Sequence, residues 1–264
     1  LKSDNFGSQL NFFIFLIFIL LNFKKNKNFT YIVFACPLII YFISAQKLQL
    51  FFGILYLLIF ILVNSGYVKT KIELFISILL LTFYASGNLS YILYSIPLYF
   101  YIFYQQRKFW KSVIIFSTIS FFVILFPIFL IKQIYYLNMF APFLDSVFGN
   151  NDFLYNAYAN SIRSTDGWMS NPYNFELYLK PFISLEINKF SSSLGIIFLL
   201  MLLNFKTLKQ TKFFPLIIIT IVLSTGQILP RYYFEAFLLL AYFFKSENFI
   251  TKIVLVSHNL IIVF

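Results

Sequence analysis

The chain has 264 residues, of which 61% are hydrophobic, 23% aromatic and only 11% charged, and its formal net charge is +11. A soluble domain carries roughly 25% charged residues, so this chain has too few polar side chains to cover its apolar ones. The composition excludes an ordinary soluble domain and indicates a protein whose surface contacts membrane lipid. The basic residues separate apolar runs, as membrane topology requires, so the net charge does not indicate a nucleic-acid partner.

Apolar runs separated by charged or Asn/Gly/Ser clusters follow one another along the chain. A barrel strand would alternate apolar and polar residues, whereas Ile54–Val63 and Ile196–Leu203 are apolar on every face, which indicates helices. The predicted fold class is all-α, a polytopic transmembrane bundle of about ten helices with one large outer loop carrying interfacial helices. The runs are 9–23, 31–45, 50–66, 72–86, 89–104, 112–131, 194–205, 213–229, 232–244 and 252–264.

These runs divide the chain into three parts. Residues 1–131 are predicted to form transmembrane helices 1–6, residues 132–193 the outer loop, and residues 194–264 transmembrane helices 7–10. Pro37, Pro97 and Pro127 lie inside runs, where membrane helices tolerate proline as a kink.

The lysines and arginines between the runs are shared unevenly between the two sides. One set of linkers contains thirteen of them and the other only seven, four of these in the loop 132–193. By the positive-inside rule the richer side is cytoplasmic, which places residues 1–8 and the long loop outside. We therefore predict an integral protein of a bacterial inner (plasma) membrane. The richer set is Lys24, Lys25, Lys27, Lys69, Lys71, Arg107, Lys108, Lys111, Lys206, Lys209, Lys212, Lys245 and Lys252.

The outer loop contains three aromatic stretches, 134–148, 152–158 and 173–186, that are too polar to span a membrane. We expect them to lie along the interface, with their rings at headgroup level. Between them, residues 160–172 form a polar, turn-rich patch that combines Arg163, Asp166 and Trp168. Long loops that are ordered in compact proteins are often functional, and an inert connector is the alternative interpretation.

A second polar feature joins two apolar runs at Ser224–Glu235, which contains Pro-Arg-Tyr-Tyr. Proline suits the first turn of a helix, so we expect Pro230 to start one and Arg231 to lie at its N-terminus. A cation there is unfavourable because the helix dipole is already positive at that end. Glu235, four residues later, is one compensating partner. An anionic ligand such as a phosphate is the other.

This layout resembles the GT-C superfamily of membrane glycosyltransferases, which includes protein O-mannosyltransferases and aminoarabinose transferases. Asn88–Arg107 resembles the core helix whose proline precedes a basic cytoplasmic turn, and 132–193 resembles the interfacial loop that covers the pocket. Gln227–Leu240 is similar to the late helix start of many members, which carries Arg-Tyr. The resemblance covers about residues 88–244 and implies transfer of a sugar from a polyprenyl-phosphate carrier to a lipid, glycan or protein acceptor.

The resemblance also implies roles for individual residues. Arg231 would neutralise the phosphate leaving group, supported by Tyr232 or Tyr233. The acid that acts as general base in the family lies in a first outer loop, to which residues 1–8 correspond. Asp4 is the candidate there. Because the sequence starts with Leu1 and ends inside an apolar run, we expect a fragment, with the catalytic acid itself upstream.

Cofactors and metals have little support in the sequence. Cys36 and His258 are the only cysteine and histidine, so an internal disulfide is excluded and no Cys–His cluster exists for zinc or haem. Some members of the superfamily require a divalent metal. The acids that could bind one are Asp152, Asp166 and Glu176, although their spacing does not indicate a site.

Two other functions fit parts of the pattern. An O-antigen or surface-polysaccharide polymerase or ligase also has ten or more helices and outer arginines, and Arg163, beside Asp166 and Trp168, would then be the centre. A transporter or flippase is the third alternative. Against it, charged residues are nearly absent from the middle of the apolar runs, where coupling-ion sites lie.

Overall fold

The computed structural model describes residues 6–23, 27–34, 36–44, 48–140, 194–195, 198, 201, 214–224 and 233–244. In this part of the chain the regular structure is helical and contains no strand, which confirms the all-α prediction there. The α-helices are α1 (Phe6–Phe23), α2 (Lys27–Phe34), α3 (Pro37–Ser44), α4 (Gln49–Asn64), α5 (Lys71–Ser86), α6 (Leu89–Gln105), α7 (Trp110–Ser120), α8 (Phe126–Tyr136), α9 (Phe214–Ser224) and α10 (Phe234–Phe243).

The three prolines predicted to kink helices have three different outcomes. Pro37 breaks the predicted run 31–45 into α2 and α3, because proline lacks an N–H and restricts the residue before it. Pro97 lies inside α6, which continues past it. Before Pro127 the chain forms a π-helical segment, Phe121–Leu125, and the Phe126 N–H donates to the Phe121 carbonyl five residues back. A π-helical turn is a known way of fitting such an interruption into a helix.

Contacts divide the chain into two compact units, and the first contains residues 1–58 and 175–264. In this unit α1 packs on α2 and α3, while α10 packs on α2 and α9. The Asn11 side-chain amide donates to the Phe42 carbonyl at 3.1 Å, which satisfies one of the last four carbonyls of α3. The rings of Phe42 and Phe234 meet edge to face at 5.2 Å, and Phe29 contacts Tyr242 at 6.1 Å.

The second unit contains residues 59–174. Here α5 is central and packs on α6, α7 and the π-helical segment. Tyr84 and Tyr91 stack at 4.8 Å across the turn between α5 and α6, and Phe75 meets Phe116 of α7 at 5.1 Å. The predicted outer loop lies outside the described residues except for 132–140. Its first residues continue α8 to Tyr136, five residues past the predicted end of the run at 131.

One long helix in this unit carries most of its apolar surface outward. It runs over Arg107–Tyr136 and comprises a 3₁₀ turn, α7, the π-helical segment and α8. Its mean hydropathy reaches 2.7, and only 6% of its most apolar window is buried. Among the described helices it is the one long and apolar enough to cross a membrane, judged by length and composition; Phe6–Leu21, Gln49–Asn64 and Phe234–Phe243 are apolar but shorter.

Candidate functional site

Two of the predicted site residues, Tyr233 and Glu235, lie in the described part of the chain, at the start of α10. The remaining candidates lie outside it, so their roles stay predictions. These candidates are Asp4, Asp152, Arg163, Asp166, Trp168, Glu176, Arg231 and Tyr232.

The described part of α10 starts at Tyr233. The α-helix itself begins at Phe234, and Tyr233 is its N-cap residue, with φ −96° and ψ 3°. Pro230 and Arg231 precede the described residues, so the helix start predicted at Pro230 and the pairing of Arg231 with Glu235 stay predictions.

Glu235 occupies the first turn of α10 and is 1% exposed. Every residue from Phe234 to Ala241 is buried, so the helix is covered on all its faces over that stretch. Such burial penalises a carboxylate unless polar groups compensate. The N-terminal position helps, because the free N–H groups and the helix dipole favour a negative charge there. The acid that the sequence placed at the membrane edge is thus inside the first unit.

Aromatic rings surround this helix start. Tyr233 is 5% exposed, and its ring meets Phe198 edge to face at 6.4 Å. Phe198 also stacks on Phe237 at 6.4 Å, and Phe237 stacks on Phe234 at 6.5 Å. These rings pack tightly against one another beside the buried carboxyl group of Glu235. Tyr233 and Glu235 thus place a phenol and a carboxylate two positions apart in the sequence, in surroundings from which water is largely excluded.

No family model, curated protein or solved structure matches this chain. In the described residues no group of three or more His, Cys, Asp or Glu side chains comes together to hold a metal, and the three acids named for a metal lie outside that part.

Sequence reasoning missed Gly53, which shapes the start of α10. A Cβ on Gly53 would lie 2.5 Å from Cδ1 of Phe234 and 3.3 Å from Cδ1 of Leu238. Only a residue without a side chain lets the Phe234 ring lie against α4 in this way. The available signal was a glycine among the large apolar residues 50–63, since small residues mark close helix approaches in membranes.

Proposed function

We propose that the chain is a polytopic helical membrane protein, with about ten crossings, that transfers a sugar from a polyprenyl-phosphate-linked donor. The acceptor is a lipid, glycan or protein at the outer membrane face.

Placement in the membrane is supported by the helix Arg107–Tyr136, and this observation carries the proposal. Thirty residues rise about 45 Å, which matches the full thickness of a bilayer with its headgroups. The helix is apolar yet only 6% of its most apolar window is buried. Leaving such a surface in water would cost about 25 cal/mol per Å² of apolar area, whereas lipid covers it without that cost.

The chemistry is supported by the sequence Pro-Arg-Tyr-Tyr at residues 230–233, which immediately precedes Phe234, the first residue of α10. Tyr233 brings a phenol, whose hydroxyl can donate a hydrogen bond, into a packed, low-dielectric environment. Electrostatic contacts to a phosphate are stronger in such surroundings than in water. The resemblance of Gln227–Leu240 to the late helix start of GT-C enzymes points to the same chemistry.

In the proposed reaction an acceptor hydroxyl attacks the anomeric carbon of the donor. The bond from that carbon to the phosphate oxygen breaks, and polyprenyl phosphate leaves. Arg231 stabilises the negative charge that develops on the phosphate, helped by Tyr232 or Tyr233. A carboxylate takes the acceptor's proton, and Asp4 is the candidate for it in this sequence.

The experiment measures sugar transfer from a polyprenyl-phosphate donor by membranes that contain the full chain. Arg231→Ala is expected to lower the rate roughly a hundredfold or more, as loss of one charge-stabilising donor does. Arg231→Lys recovers only part, because an ammonium cannot form a bidentate phosphate contact. Thermal unfolding in detergent must stay unchanged for both variants, so that lost activity is not lost folding.

Glu235→Gln and Arg163→Ala separate the alternatives. If Arg231 serves only as the partner of Glu235, Arg231→Ala and Glu235→Gln lose activity to the same extent, and the phosphate role is wrong. If Arg163→Ala abolishes activity while Arg231→Ala does not, the polymerase or ligase hypothesis, in which Arg163 is the central residue, replaces the proposed sugar transfer.

A further inference from the structure

Five cations collect at one end of the second unit. Lys69 and Lys71 lie where the turn after α4 leads into the first residue of α5, and Arg107, Lys108 and Lys111 lie where the turn after α6 leads into the first two residues of α7. All five side chains are exposed.

Hydrogen bonds hold the two basic turns together. The Gln106 side-chain amide donates to the Val68 carbonyl at 3.0 Å. Nearby, Gln105 donates to the Tyr101 hydroxyl at 3.1 Å, and that hydroxyl donates to Asn64 Oδ1 at 3.4 Å. These contacts join the end of α6 to the end of α4 and to the loop after it. The five cations therefore lie on one fixed surface and not on two independent loops.

A single acid, Glu73, lies between residues 59 and 140, and it can offset at most one of the five positive charges. Its Oε2 accepts hydrogen bonds from the backbone N–H groups of Lys69 and Thr70, each at 2.8 Å. The carboxylate is thus used in capping α5. A net positive patch remains, and its complement is an anion supplied from outside the chain.

The patch lies at the start of the long apolar helix, and this position indicates where the anion comes from. It begins at Arg107, within the patch, and continues outward-facing and apolar to Tyr136. Trp110, 48% exposed, lies at the junction, and Lys111 Nζ is 5.7 Å from the centre of its ring. Cations and an exposed tryptophan at the start of a lipid-facing helix lie at headgroup level.

We propose that this patch, formed by Lys69, Lys71, Arg107, Lys108 and Lys111, binds the headgroups of acidic phospholipids. The inference rests on the membrane placement proposed above and not on sugar transfer. Anionic lipid would hold the α4–α5 and α6–α7 turns at the membrane surface, and the binding would weaken with salt because exposed charges are screened.

Trp110 provides the probe for a test. The chain contains two tryptophans, so a Trp168→Phe variant of the full chain reports from Trp110 alone. It is reconstituted in bilayers, and quenching of its fluorescence is measured with brominated phosphatidylglycerol and with brominated phosphatidylcholine. Preference for the acidic lipid of roughly fivefold is expected at low salt and should decrease as salt is raised.

Three variants locate the effect. Arg107→Gln, Lys108→Gln and Lys111→Gln together should abolish the preference. A matched triple, Lys206→Gln, Lys209→Gln and Lys212→Gln, removes the same charge elsewhere and should preserve it. Gln106→Leu keeps all five cations but removes the hydrogen bond to Val68, and it should reduce the preference.

The possible failures are distinguishable. Equal quenching by both lipids in the parent, or an equal loss in both triple variants, overturns the headgroup site while leaving the membrane placement intact. An RNA oligonucleotide that displaces the acidic lipid at physiological salt would also overturn it in favour of nucleic acid. If neither brominated lipid quenches Trp110, the membrane placement itself fails.

Discussion

Gly53 and Phe234 show how a single residue determines the packing at the start of α10. The Phe234 ring is 2% exposed and is held by Phe42 at 5.2 Å and by Phe237 at 6.5 Å. Because rings on two sides fix it, it cannot turn away from a methyl group added at Gly53. Glu235 follows Phe234 directly, so the position of the buried acid depends on this contact.

Gly53→Ala is therefore expected to destabilise the protein by about 1–3 kcal/mol, the usual cost of overpacking a core. That outweighs the gain of up to about 1 kcal/mol for alanine over glycine in a helix. Thermal unfolding in detergent measures the change. Gly87→Ala is the matched control, since Gly87 is exposed and right-handed at φ −69°. The cost should be smaller in a Phe234→Leu background; equal costs in both backgrounds would contradict the proposed clash.

Glu235 shows what the sequence could and could not reveal at this scale. An acid in an apolar run was recognisable as a functional candidate from its residue type alone. Its burial was not, because that depends on which helices cover α10. The same holds for Asn11, whose side-chain amide donates a hydrogen bond to the carbonyl of Phe42, 31 positions later.

Among the elements, α5 has the best-defined start. The Thr70 hydroxyl accepts a hydrogen bond from the Glu73 N–H at 3.2 Å, and the Glu73 carboxylate accepts one from the Thr70 N–H at 2.8 Å. This reciprocal capping box satisfies two N–H groups that otherwise have no intrahelical partner. The sequence contains the required Thr-x-x-Glu at the beginning of the apolar run 72–86.

Thr70→Ala should destabilise the start of α5 by about 1 kcal/mol, the typical cost of a lost N-cap. Thr82→Ala is the matched control in the same helix. The Thr82 hydroxyl donates to the Ile78 carbonyl at 2.9 Å, and alanine is the better helix former, so its loss should be close to neutral. Hydrogen exchange of the amides at 70–73 distinguishes the variants. Equal protection in both would show that the capping box does not stabilise the helix.

Helix positions were more predictable than helix interruptions. The runs 50–66, 72–86 and 89–104 correspond to α4, α5 and α6 within two residues, because hydrophobic runs and flanking polar residues are local signals. The consequences of Pro37, Pro97 and Pro127 differ although the residue is the same. Proline removes one backbone hydrogen bond from a helix. Whether a break, a continuous helix or a π-helical turn results depends on how the surrounding structure replaces that hydrogen bond.

At the scale of the whole molecule, composition indicated contact with lipid and the continuous apolar runs indicated helices, and the all-α architecture of the described residues agrees with the second prediction. The grouping into two compact units was not predictable. It joins residues 1–58 with residues more than a hundred positions later, and a single apolar sequence contains no signal for such long-range pairing. The number of membrane crossings and the orientation stay predictions, and one helix is enough to test the orientation together with one of the crossings.

The helix α6 is suited to this test because exposed positions flank it on both sides. Asn88 precedes the helix and Lys108 follows it, and the 17 residues of the helix span about 25 Å at 1.5 Å per residue. Since Cys36 is buried and the only cysteine, Cys36→Ser gives a background in which Asn88→Cys and Lys108→Cys report separately. An impermeant maleimide should label Asn88→Cys in intact cells and Lys108→Cys only after permeabilisation, because the positive-inside rule predicts that the basic turn lies in the cytoplasm. The opposite pattern would invert the orientation. Labelling of both positions in intact cells would show that α6 does not cross the membrane.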